Sequence, residues 1–321
     1  MNVTAIKQAI DIERVIGVYE GQKSGDLFIA IGGIHGNEAA GVLGIERLLA
    51  MLENEPNKNP DFYFNGNFVG LKGNLQALKI KDRFIDRDLN RSFLPAEITR
   101  IFATPEELLI GEDKELFALI NHVNYFIEKY KPEKLIVLDI HTTTAHGGIF
   151  SITSPELESE KVALGLHAPV LRGIMEGLKG TTLNYFTKEN TGVDTTTVVF
   201  ESGQHYDPQS VDYAVSALVN CFRAVGCVRP LDVEKRHDNL LKEHSKLLPN
   251  LVRLLYTHHI KAEDEFVMQP NYKNFQPVKK GELLAYDRNG AIYSHLDALI
   301  LMPLYQKQGS DGFFLIKEVK E

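Results

Sequence analysis

Two hydrophobic patterns alternate along the first part of the chain. Residues 27–31 form a short apolar run, as in a buried strand, and Gly32 and Gly33 end that run. From about Asn37 onward, apolar side chains recur at helical spacing, at Val42, Ile45, Leu48, Leu49 and Leu52. The pattern therefore predicts a strand, a tight glycine-rich turn and a helix.

Further segments of the chain follow one of the same two patterns. Strand-like runs occur around 15–19 in an amino-terminal segment 1–26 and over 62–70, 135–140 and 195–202, and helical spacing occurs over 115–130 and 209–225. The run 135–140 is almost continuously apolar, which is typical of a central strand covered on both faces. This alternation of strands and helices predicts an α/β fold.

The pattern changes after residue 230. A charged helical stretch over 234–247 precedes short β-rich segments, and turn-forming sequences such as KKGE, DRNG and QGSDG separate those segments. We therefore predict two domains, a catalytic α/β domain over residues 1–230 and a small all-β carboxyl-terminal domain over 231–321.

Composition excludes several classes of protein. The 321 residues are 44% hydrophobic and 24% charged, as in ordinary globular proteins. A formal net charge of -8 disfavours nucleic acid and anionic membranes as partners. No apolar run approaches the roughly 20 residues that span a bilayer, and the first 15 residues contain no signal-peptide core. We therefore expect a cytoplasmic protein. Cys221 and Cys227 are the only cysteines, so a metal site would have to use histidines and carboxylates.

Three polar residues follow two of the predicted strands. His35 and Glu38 lie in the turn after the first run, and His141 ends the run 135–140. The carboxyl ends of strands are where open α/β sheets bind ligands. Two histidines and a glutamate leave room for a water on Zn²⁺, the pattern of a catalytic zinc site. Asp139 shares a strand face with His141 and is a candidate hydrogen-bond partner for its ring.

Two further features allow a functional and a simpler interpretation. Glu201 ends the strand-like run 195–202 and is a candidate general base, although it could also be a sheet-edge acid paired with a lysine. The segment 82–93 brings Arg83, Arg87 and Arg91 together in an acidic chain. The segment is either an anion-binding loop, since arginine forks suit carboxylates, or a solvated charged loop.

Four short motifs in this order resemble the aspartoacylase/succinylglutamate desuccinylase family: GIHGNE at 33–38, RFIDRDLNR at 83–91, DIHTTT at 139–144 and FESGQ at 200–204. The β-rich tail matches the layout of the family as well. The resemblance implies a zinc-carboxypeptidase-like fold, with a mixed central sheet, helices on both faces and a small all-β domain. It also implies one Zn²⁺ per chain, held by His35, Glu38 and His141.

The resemblance further implies how the site would work. Arg83 would polarise the scissile carbonyl, Asn90 and Arg91 would hold a substrate carboxylate, and Glu201 would act as general base and acid. The implied reaction is zinc-dependent hydrolysis of the amide bond of a small N-acyl amino acid, which gives a carboxylate and a free amino acid.

The sequence also departs from the family pattern. The aspartoacylase branch brings a carboxyl-terminal tyrosine into the pocket, and Tyr305 is the nearest candidate here without a clear match. The stretch 187–194 lacks an arginine that could bind a second substrate carboxylate. The reaction type therefore carries over, whereas the identities of the acyl group and the amino acid stay open. The oligomeric state, a homo-oligomer included, also stays open, as does the native metal.

Other functions compete with this interpretation. A metallocarboxypeptidase, or a deacylase of another small amide or ester, could use the same scaffold. A non-catalytic zinc-binding protein is expected to have lost a ligand or the base, yet Glu38, His141 and Glu201 are all present. Dinucleotide binding is disfavoured because the glycine spacing in the turn does not fit G-x-G-x-x-G and because His35 would occupy the pyrophosphate position.

Overall fold

The computed structural model describes residues 13–319. The first 12 residues, which carry the start of the predicted amino-terminal segment and most of the stretch without a signal-peptide core, lie outside this range. The described strands are β1 (Val15–Glu20), β2 (Lys23–Gly32), β3 (Asn65–Lys72), β4 (Lys134–Thr143), β5 (Phe150–Thr153), β6 (Val170–Arg172), β7 (Asp194–Gln204), β8 (Leu251–His259), β9 (Val267–Met268), β10 (Gln276–Val278), β11 (Leu283–Asp287), β12 (Gly290–Tyr293), β13 (Ala298–Leu301) and β14 (Asp311–Glu318).

The helices alternate with the strands in the first part of the chain. Within the described residues they are α1 (Ala39–Lys58), α2 (Leu75–Ile80), α3 (Pro95–Ala103), α4 (Gly111–Tyr130), α5 (Leu157–Gly165), α6 (Thr182–Tyr185), α7 (Lys188–Thr191), α8 (Gln209–Ala224) and α9 (Lys235–Ser245). Short 3₁₀ turns lie at Leu89–Arg91, Glu106–Leu108, Ile174–Glu176, Pro230–Asp232 and Ala262–Asp264. No helix between residues 13 and 319 is long and apolar enough to cross a bilayer.

One large mixed sheet organises the molecule. Its strand order is β1-β3-β2-β4-β7-β5-β6-β8-β14-β13-β10. The central strands β3, β2, β4 and β7 run parallel, whereas β5 is antiparallel to β7. The predicted α/β fold with a mixed central sheet is thereby confirmed. The parallel arrangement brings the carboxyl ends of β2, β4 and β7 to the same edge of the sheet.

Side-chain alternation along the strands explains the helices on both faces. In β2, Leu27, Ile29 and Ile31 point into one apolar cluster, and Phe28 and Ala30 point into another. Helices α1 and α8 cover the second cluster, and α4 covers the first. Because both faces are buried, β2 and β4 show the nearly continuous apolar sequence of central parallel strands.

One strand lies later than its sequence pattern predicts. The aromatic run over 62–70 predicts a strand, but β3 begins at Asn65. Phe62 and Phe64 precede it and are buried in the core. Their aromatic character therefore reflects packing against the core and not membership of the strand.

The carboxyl-terminal residues extend the large sheet. Strand β8 pairs in parallel with β6, and β14 then pairs with β8, so the sheet continues across residue 230. A separate small sheet has the order β12-β11-β9. The predicted small β-sheet at the carboxyl terminus is therefore present, while the division into domains at residue 230 stays a prediction.

Candidate active site

The turn after β2 is shaped by its glycines. Gly33 has a φ of 73°, which lies in the left-handed region that favours glycine. A Cβ on Gly36 would lie 2.1 Å from the carbonyl carbon of Ala77, so a larger residue would push the turn away from its neighbour. The Gly36 amide also donates to the carbonyl of Arg83 at 3.2 Å. The turn is therefore packed against the segment that carries Arg83.

His35, Glu38 and His141 converge at the carboxyl edge of the sheet. One donor atom from each of the three buried residues lies within 4.8 Å of the others. His35 Nδ1 is 2.8 Å from Glu38 Oε1, and His141 Nδ1 is 3.0 Å from Glu38 Oε2. The structure thus brings together the three residues that the sequence suggested as metal ligands. Two imidazoles and a carboxylate are a donor set that suits Zn²⁺.

The second ring nitrogen of each histidine meets another carboxylate. His35 Nε2 is 3.1 Å from Asp88 Oδ1, and His141 Nε2 is 2.9 Å from Asp139 Oδ2. Such partners hold the ring orientation and leave Nδ1 to face the shared centre, as is usual for metal-ligating histidines. The Asp139 contact follows the sequence-based expectation, whereas Asp88 was not singled out from the sequence.

The charges of this cluster depend strongly on one another. Burial opposes ionisation of Glu38, but His35 and His141 outweigh it and hold the pKa of Glu38 well below its ordinary value. Burial likewise disfavours the charged form of His141, yet Asp139 and Glu38 raise its pKa well above the ordinary value. The cluster is therefore arranged to hold positive charge between its carboxylates.

Glu201 lies beside the cluster without belonging to it. It pairs in register with His141 across β7 and β4, and only 6% of it is exposed. Among the described residues, no hydrogen-bond partner reaches its Oε2 atom. Burial raises the pKa of Glu201 to about 8, and nearby Glu38 adds to this rise, although His141 opposes it. An acid that gains and loses a proton near neutral pH suits proton transfer.

Arg83 reaches the same centre from the loop after α2. Its Nε and Nη2 atoms donate to Asp88 Oδ2 at 3.2 and 3.0 Å, and its Nη1 atom lies 3.5 Å from Glu38 Oε1. Although burial opposes ionisation of Asp88, the Arg83 guanidinium and then His35 hold its pKa well below the ordinary value. Asp88 therefore orients both a candidate metal ligand and a candidate electrophilic group.

Asn90 and Arg91 line the same cavity. Asn90 Oδ1 accepts a hydrogen bond from the Thr182 amide at 3.0 Å. Arg91 donates from Nη1 to the Asn90 carbonyl at 2.8 Å and from Nη2 to Asp311 Oδ2 at 2.6 Å. Part of the arginine fork is thus already engaged by the protein.

The candidate residues surround one cavity of about 120 Å³. The cavity is polar near His35, Glu38, His141 and Glu201, and we call this part the polar half. Its other part, which we call the apolar half, is lined by Ile152, Ile174, Met175, Leu178, Leu183, Val199, Met302, Leu304 and Phe314.

Several residues that line the cavity were not predicted from the sequence. His205, whose Nδ1 is 2.6 Å from Thr142 Oγ1, follows the Glu201 motif closely and was within reach of that signal. Asp311 and the apolar residues carried no such signal. Tyr305 does not line the cavity, because its hydroxyl group donates to the carbonyls of Gln269 and Tyr272 at 2.9 and 3.2 Å. Gln306 lines the cavity instead.

Comparison with known families gives one match over most of the chain. Residues 24–225 match the model of the succinylglutamate desuccinylase/aspartoacylase catalytic domain. A probable aspartoacylase of Prochlorococcus marinus (strain MIT 9215) is 23% identical over 297 residues, which cover 86% of this chain and 87% of that protein. A probable aspartoacylase of Acaryochloris marina (strain MBIC 11017) is 30% identical over 126 residues, 38% of this chain and 36% of that protein.

Solved structures share the fold. A succinylglutamate desuccinylase/aspartoacylase from Rhodobacter sphaeroides has a TM-score of 0.63 at 13% identity, and the match covers 95% of this chain and 88% of that chain. The ectoine utilization protein EutE (DoeB) from Ruegeria pomeroyi also has a TM-score of 0.63, at 16% identity, and the match covers 93% of this chain and 86% of that chain. At these identities the likeness concerns the fold alone.

Proposed function

The chain belongs to the succinylglutamate desuccinylase/aspartoacylase family, and from this membership and the geometry of the cavity we propose that it hydrolyses the amide bond of a small N-acyl amino acid. Family membership supports a hydrolytic deacylase. The observation that carries the proposal is Glu201, a buried acid with an unpaired carboxylate oxygen beside a His-Glu-His cluster.

The cofactor in this proposal is one Zn²⁺ per chain, with His35, Glu38 and His141 as its protein ligands. The support is the convergence of their donor atoms and the carboxylate behind each histidine. When bound there, Zn²⁺ supplies Lewis acidity toward the amide carbonyl and the attacking water.

Glu201 moves the proton in the proposed reaction. It accepts a proton from the attacking water as the new carbon–oxygen bond forms, and it delivers that proton to the leaving nitrogen as the carbon–nitrogen bond breaks. The products are the acid of the acyl group and a free amino acid. A carboxylate with a raised pKa is a stronger base once ionised, and burial raises the pKa of Glu201 to about 8.

The arginines have separate parts in the proposal. Arg83, held by Asp88, faces the negative charge that develops on the carbonyl oxygen. Asn90 and Arg91 hold the carboxylate of the amino-acid part. Arg91 has further N–H groups that donate neither to Asn90 nor to Asp311, and these can donate to the substrate carboxylate. Binding the carboxylate at a fixed point orients the amide bond for attack.

A substrate panel tests the proposed function. Zinc-loaded protein is incubated with N-acetyl and N-succinyl amino acids, with small esters and with dipeptides that have a free amino end. The released amines are quantified for the amides and peptides, and the released acid is quantified for the esters. We expect the N-acyl amino acids to be hydrolysed fastest. Faster cleavage of the dipeptides would instead identify a metallocarboxypeptidase, and faster cleavage of the esters would identify a different deacylase. The cytoplasmic location and the oligomeric state stay predictions outside this test.

A further inference from the structure

The apolar half of the cavity has no part in the proposed mechanism. Four of its residues are Ile152, Val199, Leu183 and Phe314. Ile152 and Val199 pair in register across β5 and β7, and Val199 lies two residues before Glu201 on the same strand. Residues two apart in a strand point to the same face of the sheet. The apolar half therefore begins directly beside the proposed base.

In the part of the chain that the structure describes, the cavity is lined by no cation that lacks an acidic partner. Among the described residues that line the cavity, the permanent positive charges are those of Arg83 and Arg91. Arg83 is held by Asp88, and Arg91 is held by Asp311 and, in the proposed function, by the carboxylate of the amino-acid part. A carboxylate that entered the apolar half would lose hydration without gaining a free cationic partner, which is unfavourable. An apolar group would gain free energy by leaving water at the same place.

The position of the apolar half indicates which part of the substrate enters it. The Thr182 amide donates to Asn90 Oδ1 at 3.0 Å, and Leu183 follows Thr182 directly in the chain. The side chains proposed to hold the substrate carboxylate thus lie next to the apolar half. In an amino acid the carboxylate and the side chain are attached to the same carbon, so a side chain can reach this surface while the carboxylate is bound.

We propose that the preferred substrates are N-acyl amino acids with a single carboxylate and an apolar side chain, such as N-acetylleucine or N-acetylmethionine. The N-acyl derivatives of aspartate and glutamate are poorer substrates. This inference rests on the proposed function and adds the substrate class to it.

A matched pair of substrates tests the preference. N-acetylleucine and N-acetylaspartate have side chains of equal heavy-atom number but different charge. We expect kcat/KM of the zinc-loaded wild type to favour N-acetylleucine by at least about tenfold, since the second carboxylate is desolvated without a free cation. Faster hydrolysis of N-acetylaspartate would overturn the inference and leave the proposed function standing.

Two charge-adding variants sharpen the test. Met175 and Leu178 are half-buried residues of the apolar half, and either Met175→Arg or Leu178→Arg adds a cation there. We expect each folded variant to shift the ratio of kcat/KM values toward N-acetylaspartate by about tenfold. Leu254→Arg is the matched control, because Leu254 packs against the apolar cluster that contains Ile152 and Val199 but does not line the cavity. An equal shift in the control, or no shift in either variant, would contradict the inference.

Two further measurements separate the remaining outcomes. Preference for N-decanoylglycine over N-acetylglycine, without preference for N-acetylleucine over N-acetylaspartate, would assign the apolar half to the acyl group and overturn the inference.

If no N-acyl amino acid is hydrolysed, the proposed function fails. Calorimetric binding of leucine and aspartate to the zinc-loaded protein then decides the substrate class. Tighter binding of leucine would support it, and equal or tighter binding of aspartate would overturn it.

Discussion

The two halves of the cavity are built in different ways. The polar half comes from the carboxyl ends of three parallel strands, β2, β4 and β7, and its side chains hold one another through ion pairs. The apolar half draws on β5, on β7, on the segment 174–183, on residues 302–304 and on β14. Residues proposed for bond cleavage therefore lie in short local motifs. Residues proposed for selectivity are brought together only by the fold.

The halves should also respond differently to mutation. In the polar half the two histidines, Glu38 and Arg83 are held by ion pairs, so removing one member leaves an uncompensated charge or a histidine ring without its partner. In the apolar half a side-chain change alters shape and polarity without uncovering a buried ion pair. We therefore expect changes in the polar half to affect catalysis and metal binding most, and changes in the apolar half to affect the choice of substrate.

The largest effect is expected for Glu201→Gln. Because Glu201 is the proposed proton carrier but not a metal ligand, kcat should fall by about 10²–10⁴-fold while zinc content stays unchanged. Steady-state kinetics and metal analysis by mass spectrometry measure both quantities. Glu176→Gln, an exposed carboxylate next to Met175 in the apolar half, is the matched control. Unchanged turnover at unchanged zinc content would mean that Glu201 is a structural acid.

The next largest effect is expected for Arg83→Ala. Its proposed contact strengthens as charge develops on the carbonyl oxygen, so kcat should fall by about 10²–10³-fold with a smaller change in KM. Arg47→Ala removes an arginine of an exposed ion pair with Asp212 and serves as the control. A rise in KM at unchanged kcat would assign Arg83 to substrate binding. It would contradict the expectation that changes in the polar half act mainly on catalysis.

Metal affinity should depend on the carboxylates behind the histidines. We expect Asp139→Asn and Asp88→Asn each to weaken Zn²⁺ binding by about 10–100-fold, because an amide holds the histidine ring less firmly than a carboxylate does. Competition with a chelating dye measures the affinity. Asp212→Asn, on the exposed surface, should leave it unchanged. Equal affinities in all three variants would show that these contacts do not orient the ligands.

The pH dependence should follow the ionisation of Glu201. Burial raises the pKa of Glu201 to about 8. Zn²⁺ in the proposed site would add positive charge that favours the carboxylate and would so lower this pKa. A general base works only when ionised, so kcat/KM should fall about tenfold per pH unit below its pKa and level off above it. Profiles for wild type and Glu201→Gln provide the measurement. If kcat/KM of the variant falls at low pH with the same midpoint as in the wild type, the ionisation of Glu201 is not the cause of that fall.

The smallest of these effects is expected for Arg91→Lys. Lysine keeps the charge but loses the fork that engages Asn90, Asp311 and a substrate carboxylate, so KM should rise by up to about tenfold and exceed the loss in kcat. Arg87→Lys is the control in the same segment, where Arg87 pairs with Glu97 and Asp113. Wild-type kinetics for every carboxylate-bearing substrate would show that Arg91 does not recognise the amino acid.

The same difference between the halves decides what the sequence could predict. His35, Glu38, His141 and Glu201 each lie at the end of an apolar run, and strand ends meet at one edge of a parallel sheet. A local pattern was therefore enough to place them together. The α/β fold followed from similar patterns, since strand and helix periods differ, whereas the mixed sheet was implied by the family resemblance.

Long-range contacts carry no such local signal. Asp88 meets a histidine 53 residues earlier, and Asp311 meets Arg91 across 220 residues. Spacing along the chain does not specify these pairs, because they depend on how loops pack. The apolar half has the same origin, since its residues look like ordinary core positions until the fold places them around a cavity.

The most direct test of the central claim is a zinc titration of the metal-free protein, followed by amine release from an N-acyl amino acid. We predict no turnover without metal, a rise in rate in proportion to added Zn²⁺ and a plateau at one equivalent per chain. In the same titration Glu201→Gln should bind one equivalent and stay slow. Full activity of the metal-free protein, or one bound equivalent without hydrolysis of any N-acyl amino acid, would contradict the account.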